Sequence, residues 1–315
     1  MGLQNSKQLF ADAIKNNYAL GAFNFVNLET LSGILDAATE LNSPVIVQCS
    51  TGALKYSGIE ELVALVKVKS KNLPVILNLD HGKSFEDCKN CIDNGFTNVM
   101  IDASHLSFED NIKLTKQVVE YAHSKNVTVE AELGVLAGVE DEVSATADDA
   151  RYTNPQQAKE FVERTGVDSL AIAIGTSHGT HKFASDAKLR FDILSEIEKL
   201  LPNFPLVLHG ASSIPQNMVK LAEQYGATLK GANGIPEDML RIATTEHNVV
   251  KVNVDSDLRI AFTAGLREHL TLNPENVDLR NYFKQAKQYV TEVVKNKMVN
   301  VYNSANKINL NKKNT

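Results

Sequence analysis

Short apolar runs that end in polar or charged residues, separated by stretches of helical periodicity, recur eight times along the chain, and no other feature restricts the fold so strongly. The third run, Pro74-Val-Ile-Leu-Asn-Leu-Asp80-His81-Gly82, shows the pattern most clearly. Its β-branched and leucine-rich body, opened by proline and closed by glycine, predicts a strand buried on both faces, as in parallel sheets. Period two sends Asn78 and Asp80 to one face and Leu77 and Leu79 to the other, while His81 opens the following loop. The remaining runs cover residues 21–25, with Asn24 facing inward, then 44–50, 98–105, 128–134, 169–175, 204–210 and 249–256. Helical spacing predicts helices over 28–41, 59–68, 85–94, 108–124, 189–200, 258–270 and 279–302, an amphipathic helix around Leu9, Phe10, Ala13 and Ile14, and two helices within 217–246. Residues 138–150, acidic and without periodicity, read as an exposed loop. Polar residues gathered at the strand ends, and the lack of a G-x-G-x-x-G, favour an α/β fold of the (β/α)8 TIM-barrel type over an open doubly wound sheet, with additional helices between strands 7 and 8 and at the C-terminus.

At 315 residues with 43% apolar content, the chain suits a single barrel domain over 1–305, followed by a polar tail over 306–315 predicted to be disordered. Lys and Arg number 32 against 38 Asp and Glu, so the net charge is −6 and no basic run points to nucleic acid. The amino terminus lacks the apolar core of a signal peptide and no long apolar run suggests a membrane span, which places the protein in the cytoplasm. Three cysteines, an odd count, suit a reducing compartment; Cys88 and Cys91 form a C-x-x-C on a predicted helix with no second ligand pair nearby and read as ordinary helix thiols.

In a barrel the carboxyl ends of the strands form one mouth, and His81, His178 and His209 follow strands three, six and seven there. Three imidazoles with an open fourth position describe a catalytic zinc site; His105 and His181 are rival ligands in mouth loops, while His123, His247 and His269 fall on helices or their ends. Ser50, Asp80, Asp102 and Glu132 share the mouth, where carboxylates near a dication act as general acids or bases, as ligands, or as partners of the imidazoles. Glu140 and Asp141 sit on a glycine-flanked segment able to close over a substrate. Gly179, then Gly210 with Ser212, then Asn253, Asp255 and Ser256 at a helix start, expose backbone N–H groups and hydroxyls to an anion; Ser256 reads equally as a helix cap. Lys182, Arg259 and Arg280 are cations available to a second phosphate.

Taken together, Leu79-Asp-His-Gly82, Met100-Ile-Asp-Ala-Ser-His105, Val129-Glu-Ala-Glu-Leu-Gly134, Ala173-Ile-Gly-Thr-Ser-His-Gly179, Leu208-His-Gly-Ala-Ser212 and Asn253-Val-Asp-Ser-Asp-Leu-Arg259 resemble the class II, metal-dependent fructose-bisphosphate aldolases from about residue 21 to 305. The resemblance implies reversible cleavage of fructose 1,6-bisphosphate to dihydroxyacetone phosphate and glyceraldehyde 3-phosphate, a sugar bisphosphate as the small-molecule partner, and Zn2+ held by His81, His178 and His209. It implies proton exchange by Asp80 at the C4 hydroxyl and by Glu140 at the three-carbon fragment. Phosphate binding by Gly179, Gly210, Ser212 and Ser256, hydroxyl contacts from Asn253 and Asp255, a monovalent cation (Na+ or K+) near Gly179 and Gly210, and an Arg280 supplied by a neighbouring subunit of a homodimer or homotetramer are implied in the same way. The alternative lysine Schiff-base route finds no lysine on strand six, and Lys251 lies well inside strand eight. Two other readings stand beside this one: a tagatose-bisphosphate aldolase, disfavoured by Asp255, Arg259 and the long 217–246 segment, and a phosphosugar-binding barrel without turnover.

Overall fold

The computed structural model describes residues 2–135, 152–177, 188–229 and 231–308, together with the backbone of 138–140 and 143–145. Eight parallel strands close on themselves: β1 (Leu20–Asn24), β2 (Val45–Ser50), β3 (Pro74–Gly82), β4 (Asn98–Ile101), β5 (Thr128–Leu133), β6 (Ser169–Ile172), β7 (Leu206–Leu208) and β8 (Val249–Val254). Each pairs with its neighbours in sequence and β8 pairs with β1, which closes the barrel, while a two-residue strand, Gly2–Leu3, adds in parallel to the start of β3. This is the TIM barrel expected from the alternating runs. The predicted third strand matches β3 end to end, because proline and glycine mark its limits unambiguously.

Helices α1 (Ser6–Lys15), α2 (Leu28–Glu40), α3 (Thr51–Ser57), α4 (Ile59–Lys69), α5 (Phe85–Asp93), α6 (Phe108–Ser124), α7 (Pro155–Thr165), α8 (Phe191–Leu200), α9 (Gln216–Gln224), α10 (Glu237–Thr245), α11 (Ser256–Leu272) and α12 (Leu279–Asn296) accompany the strands, with a π-helical turn at Lys297–Val301. The outward faces of the strands and the apolar stripes of the helices form one core, in which Phe23, Val47, Leu77, Val99, Val129 and Leu170 are buried. A second, smaller core closes the amino-terminal end of the barrel, where Phe10 and Ala13 of α1 pack against Leu20, Ala22, Ile46 and Ile76. Helix α1 is therefore a plug as well as a surface helix, closing the amino-terminal end of the barrel.

Several expectations need correction. Helix α7 was not anticipated: Asn154 caps it, Pro155 opens it and Gly166 closes it in the left-handed region, but only Ala158, Phe161 and Thr165 are buried, too sparse a stripe to register in a polar sequence. Helix α3, seven residues long, was missed because it is shorter than two helical repeats. The segment read as a loop over 138–150 contains two short strands, Gly138–Glu140 and Val143–Ala145, paired antiparallel; three residues are too few for alternation to be visible, and the pairing partner supplies the order. The helix expected over 279–302 ends as a π-turn from Lys297. Within the expected polar tail, Asn306 and Ile308 donate backbone hydrogen bonds to Leu41 and Asn42, so at least these residues lie against the barrel; 309–315 fall outside the described residues.

Candidate active site

Strand β3 delivers two adjacent functional groups by breaking its own alternation. Asp80 keeps the inward direction set by Asn78, whereas His81 takes a left-handed backbone, φ 51°, which is costly for a side chain with a Cβ and turns its ring toward the same mouth. The register with β4 shifts between Leu79 and Gly82. Gly82 must be glycine here, since a Cβ would lie 2.7 Å from the Met100 carbonyl oxygen and 2.8 Å from the Leu79 side chain.

Both oxygens of Asp80 are held by amides: Asn24 Nδ2 donates to Oδ2 at 2.8 Å and Asn253 Nδ2 to Oδ1 at 2.9 Å. The Asn253 side-chain oxygen Oδ1 is buried without a hydrogen-bond partner among the described residues. His81 Nδ1 meets Asp102 Oδ2 at 2.8 Å, and Asp102 Oδ1 accepts from the backbone N–H and hydroxyl of Ser104. On its other side His81 Nε2 faces His209 Nδ1 at 2.9 Å, the rings meeting edge to face with centroids 4.7 Å apart. His209 Nε2 in turn meets Glu130 Oε1 at 2.7 Å, and the Lys251 ammonium lies 2.9 Å from each Glu130 oxygen. Glu132 Oε2 is buried without a hydrogen-bond partner among the described residues, 3.9 Å from His209 Nδ1.

The electrostatics follow from this crowding of carboxylates in a buried space. Burial works against a charged His81, but its hydrogen bond to Asp102 and the charges of Asp80, Asp102 and Glu132 outweigh it and push its pKa up to about 10. Burial and the repulsion of Asp102, Glu130 and Asp80 raise Glu132 well above the carboxylate range, although His81 opposes them. Burial lowers His209 to about 4, with Lys251 and His81 adding to the fall against the pull of Glu130. Glu130 resists its own burial because Lys251 and His209 hold it down to about 2. The pocket thus carries a surplus of negative charge and rewards any cation placed among these groups.

Donor atoms of Asp80, His81 and His209 lie within 4.8 Å of one another, as do those of His81, Asp102 and Glu132. Two imidazole nitrogens converging beside the unpartnered Glu132 oxygen and the carboxylates of Asp80 and Asp102 are a donor set that fits a divalent cation of the zinc type. Asp102 is already engaged as the partner of the His81 ring, the arrangement that fixes an imidazole tautomer at a metal. His178, Gly179, Lys182 and the rival His181 lie outside the described residues, as does the side chain of Glu140. His105 is exposed and apart from the cluster, and His123 and His247 pair with Asp168 and Glu198 away from the mouth.

Around the cluster stand most of the expected binding groups. Gly210 occupies a left-handed conformation, φ 58°, where a Cβ would meet the Ser177 backbone at 2.6 Å, so the loops after β6 and β7 touch there. Ser212 and Ser256 are buried at the mouth, and Ser256 is the first helical residue of α11 behind the capping position Asp255, which corrects its reading as a cap. Ser50, by contrast, does cap a helix, accepting from the Ala53 N–H at 3.2 Å. A cleft of about 410 Å³ continues outward from Asn24 and Asp255 past Asn27, Tyr56 and Arg259, whose guanidinium pairs with Asp255 at 2.7 Å. Arg280 stands on the outer surface, 85% exposed in its side chain and paired with Asp278. The sequence reading missed Glu130 and Lys251 as site residues; the signal was present in Glu130-Ala-Glu132, two acids at period two on an otherwise apolar strand.

Residues 4–307 match the family described as Fructose-bisphosphate aldolase class-II. The chain is 46% identical to the fructose-bisphosphate aldolase of Treponema pallidum, with 97% of each covered, and 46% identical to that of Helicobacter pylori strain 26695, covering 97% of this chain and all of that one. Among solved structures it is similar to the YdjI aldolase of Escherichia coli K12, with TM-score 0.79, 31% identity and coverage of 97% and 99%, and to a putative fructose-1,6-bisphosphate aldolase from Coccidioides immitis, with TM-score 0.78, 26% identity and 96% of each chain. Since the likeness spans nearly the whole of both chains and takes in the strand ends that bring Asp80, His81 and His209 together, the chain belongs to the class II fructose-bisphosphate aldolase family.

Proposed function

We propose that the protein is a zinc-dependent aldolase that reversibly cleaves fructose 1,6-bisphosphate into dihydroxyacetone phosphate and glyceraldehyde 3-phosphate. The observation that carries this reading is the pairing on one strand end of Asp80, oriented by two amides, with His81, whose Nε2 converges on His209 Nδ1 at 2.9 Å. His81 and His209, completed by His178, would hold the metal, with Asp102 and Glu132 at hand as further oxygen donors. When bound, such an ion supplies a Lewis acid able to polarise the substrate ketone.

The remaining chemistry belongs to the chain. Asp80 takes the proton of the C4 hydroxyl; the electrons of that O–H bond form the aldehyde carbonyl as the C3–C4 bond breaks, and its electron pair passes to the three-carbon ketone fragment. Glu140 then returns a proton to C3 of that fragment. The free side-chain oxygen of Asn253 accepts from a sugar hydroxyl, so a substrate lacking it leaves a buried acceptor unpaired, while the Asp255 carboxylate, held by Arg259, contacts a second hydroxyl. Gly179, Gly210, Ser212 and Ser256 bind one phosphate through backbone N–H groups and hydroxyls, while Ser50, Lys182, Arg259 and an Arg280 from a neighbouring subunit serve the rest of the substrate. A monovalent cation near Gly179 and Gly210, a homodimeric or homotetrameric assembly and a cytoplasmic location complete the proposal; no described helix is long and apolar enough to cross a membrane.

The test is an aldol-cleavage assay paired with metal analysis. Excess chelator is expected to abolish turnover and zinc to restore it. Full activity in chelator, with borohydride trapping substrate on the protein, would overturn the metal-dependent reading.

A further inference from the structure

A row of buried polar side chains crosses the barrel interior and ends on Asp80. Sheet register places Asn24 beside Gln48, Gln48 beside Asn78, Asn78 beside Asn98, and Asn98 beside Thr128, so one inward-facing position on five successive strands is polar where a barrel usually stacks apolar residues. Every neighbouring pair is hydrogen-bonded. Thr128 Oγ1 donates to Asn98 Oδ1 at 2.6 Å, Asn98 Nδ2 to Asn78 Oδ1 at 2.7 Å, Asn78 Nδ2 to Gln48 Oε1 at 3.0 Å, Gln48 Nε2 to Asn24 Oδ1 at 2.7 Å, and Asn24 Nδ2 to Asp80 Oδ2 at 2.8 Å. All five donors point the same way. Since strands in a barrel are tilted, the row climbs from the closed end, at the start of β5, to the open mouth at the end of β1.

The direction of the row is set by the groups at its two ends. The Ser6 backbone N–H at the start of α1 donates to Thr128 Oγ1 at 3.1 Å, joined by the Ser6 hydroxyl at 2.9 Å. With the Ser6 N–H and the Ser6 hydroxyl both donating to it, the Thr128 oxygen has its two acceptor positions filled, and its own hydrogen is directed onward, to Asn98 Oδ1 in preference to the Thr97 carbonyl at 3.3 Å. At the other end the two Asp80 carboxylate oxygens accept from the Asn24 and Asn253 amides. Between these limits each amide has two orientations of nearly equal shape, and the single sequence of donors and acceptors described above satisfies every link.

We propose that this ladder is a positioning device for Asp80: Gln48, Asn78, Asn98, Thr128 and Ser6 act through Asn24 to keep its NH2 group, and not its carbonyl oxygen, against the carboxylate. A flip of any one amide would propagate to Asn24 and set oxygen against oxygen at the reacting group. Aligned amides also polarise one another, so the last donor is stronger than an isolated amide. The plug helix at the closed end thereby orients a carboxylate at the open end without touching substrate. The inference rests on the assignment of Asp80 to proton transfer.

Two isosteric interruptions test it. Thr128→Val removes the hydroxyl at the foot of the row, Thr128→Ser restores it, and Asn78→Leu breaks the middle. In zinc-loaded protein with unchanged KM for fructose 1,6-bisphosphate and unchanged metal content, kcat is expected to fall roughly three- to tenfold for Asn78→Leu and about twofold or more for Thr128→Val, the scale of one weakened neutral hydrogen bond, with Thr128→Ser near wild type. The Asn24 side-chain amide resonance in 15N-asparagine-labelled protein, assigned through Asn24→Ala, should shift in both interrupted variants and return in Thr128→Ser. An unmoved Asn24 resonance in folded Thr128→Val and Asn78→Leu, or lowered thermal stability with wild-type kcat, overturns the ladder's role. If instead Asp80→Ala keeps full turnover, the proton-transfer assignment fails, and the Asn24 resonance still decides whether the row orients that amide.

Discussion

Asp80 and His81 are neighbours with opposite duties, and substitution separates them. Asp80→Ala is expected to keep zinc and the fold while losing about 10²- to 10⁴-fold in kcat, the range for one general acid or base, as read by steady-state assay of the metal-replete variant. His209→Ala should lose metal and activity together, since a single described imidazole then remains in the cluster; full zinc occupancy by atomic absorption would reject it as a ligand. The pH dependence of metal uptake has a definite sign. His81 binds its proton up to about 10 in the folded, metal-free protein, so the stability it contributes is complete below its unfolded pKa and is lost as the pH rises through about 10. A metal needs the neutral imidazole, so binding releases that proton and apparent zinc affinity should rise with pH, by about tenfold per unit for one displaced proton, in a chelator competition between about pH 6.5 and 8.5. A flat profile would mean that His81 is already neutral. Of these residues, Asp80, His81 and His209 were legible in the sequence because a polar or charged group at the end of an apolar strand costs burial energy that only a site at the barrel mouth offsets. Glu130 was signalled only by its spacing from Glu132, and Lys251 not at all, since it looks like an isolated misfit on its own strand until its meeting with Glu130 inside the barrel gives it a purpose.

Strands β5 and β8 are joined through the barrel by Glu130 and Lys251, both wholly buried, and this pair also holds His209 Nε2. Breaking a buried pair from one side strands the other charge, so Lys251→Met is expected to cost about 3–5 kcal/mol in denaturant unfolding. Adding Glu130→Gln should recover much of that loss, because a neutral amide still accepts from His209 and no longer needs a cation. If the double variant is as unstable as the single one, the cost lies in packing and not in stranded charge. Element boundaries were readable where the chain carries strong punctuation, as at Pro74 and Gly82 or at Asn27, whose capping box with Thr30 starts α2. They were unreadable where tertiary contact supplies the order: α7 is stabilised through Phe161, which tilts against Phe108 of α6 at a centroid distance of 6.2 Å, a pairing invisible along the chain.

At the scale of the whole molecule the mouth draws on every strand it can reach, yet Arg280, at the start of α12, is exposed and paired with Asp278 instead of with any of the site groups described above. The proposed assembly predicts that Arg280→Ala raises KM for the bisphosphate, and that hybrids formed by mixing Arg280→Ala with Asp80→Ala chains regain activity beyond either parent, with light scattering reporting the oligomer. No recovery in verified hybrids would place Arg280 outside the neighbour's site. What the sequence by itself determined is the architecture and the chemistry class: eight apolar runs with polar ends admit few packings besides a parallel barrel, and a barrel gathers its strand ends at one mouth whatever the loops do. What only the tertiary structure decided is which polar groups meet. Register across the sheet aligned Asn24, Gln48, Asn78, Asn98 and Thr128 into one row, and closure of the barrel set Lys251 against Glu130, because contacts between residues 20 or more positions apart depend on strand tilt and stagger, which period-two alternation within a strand does not encode.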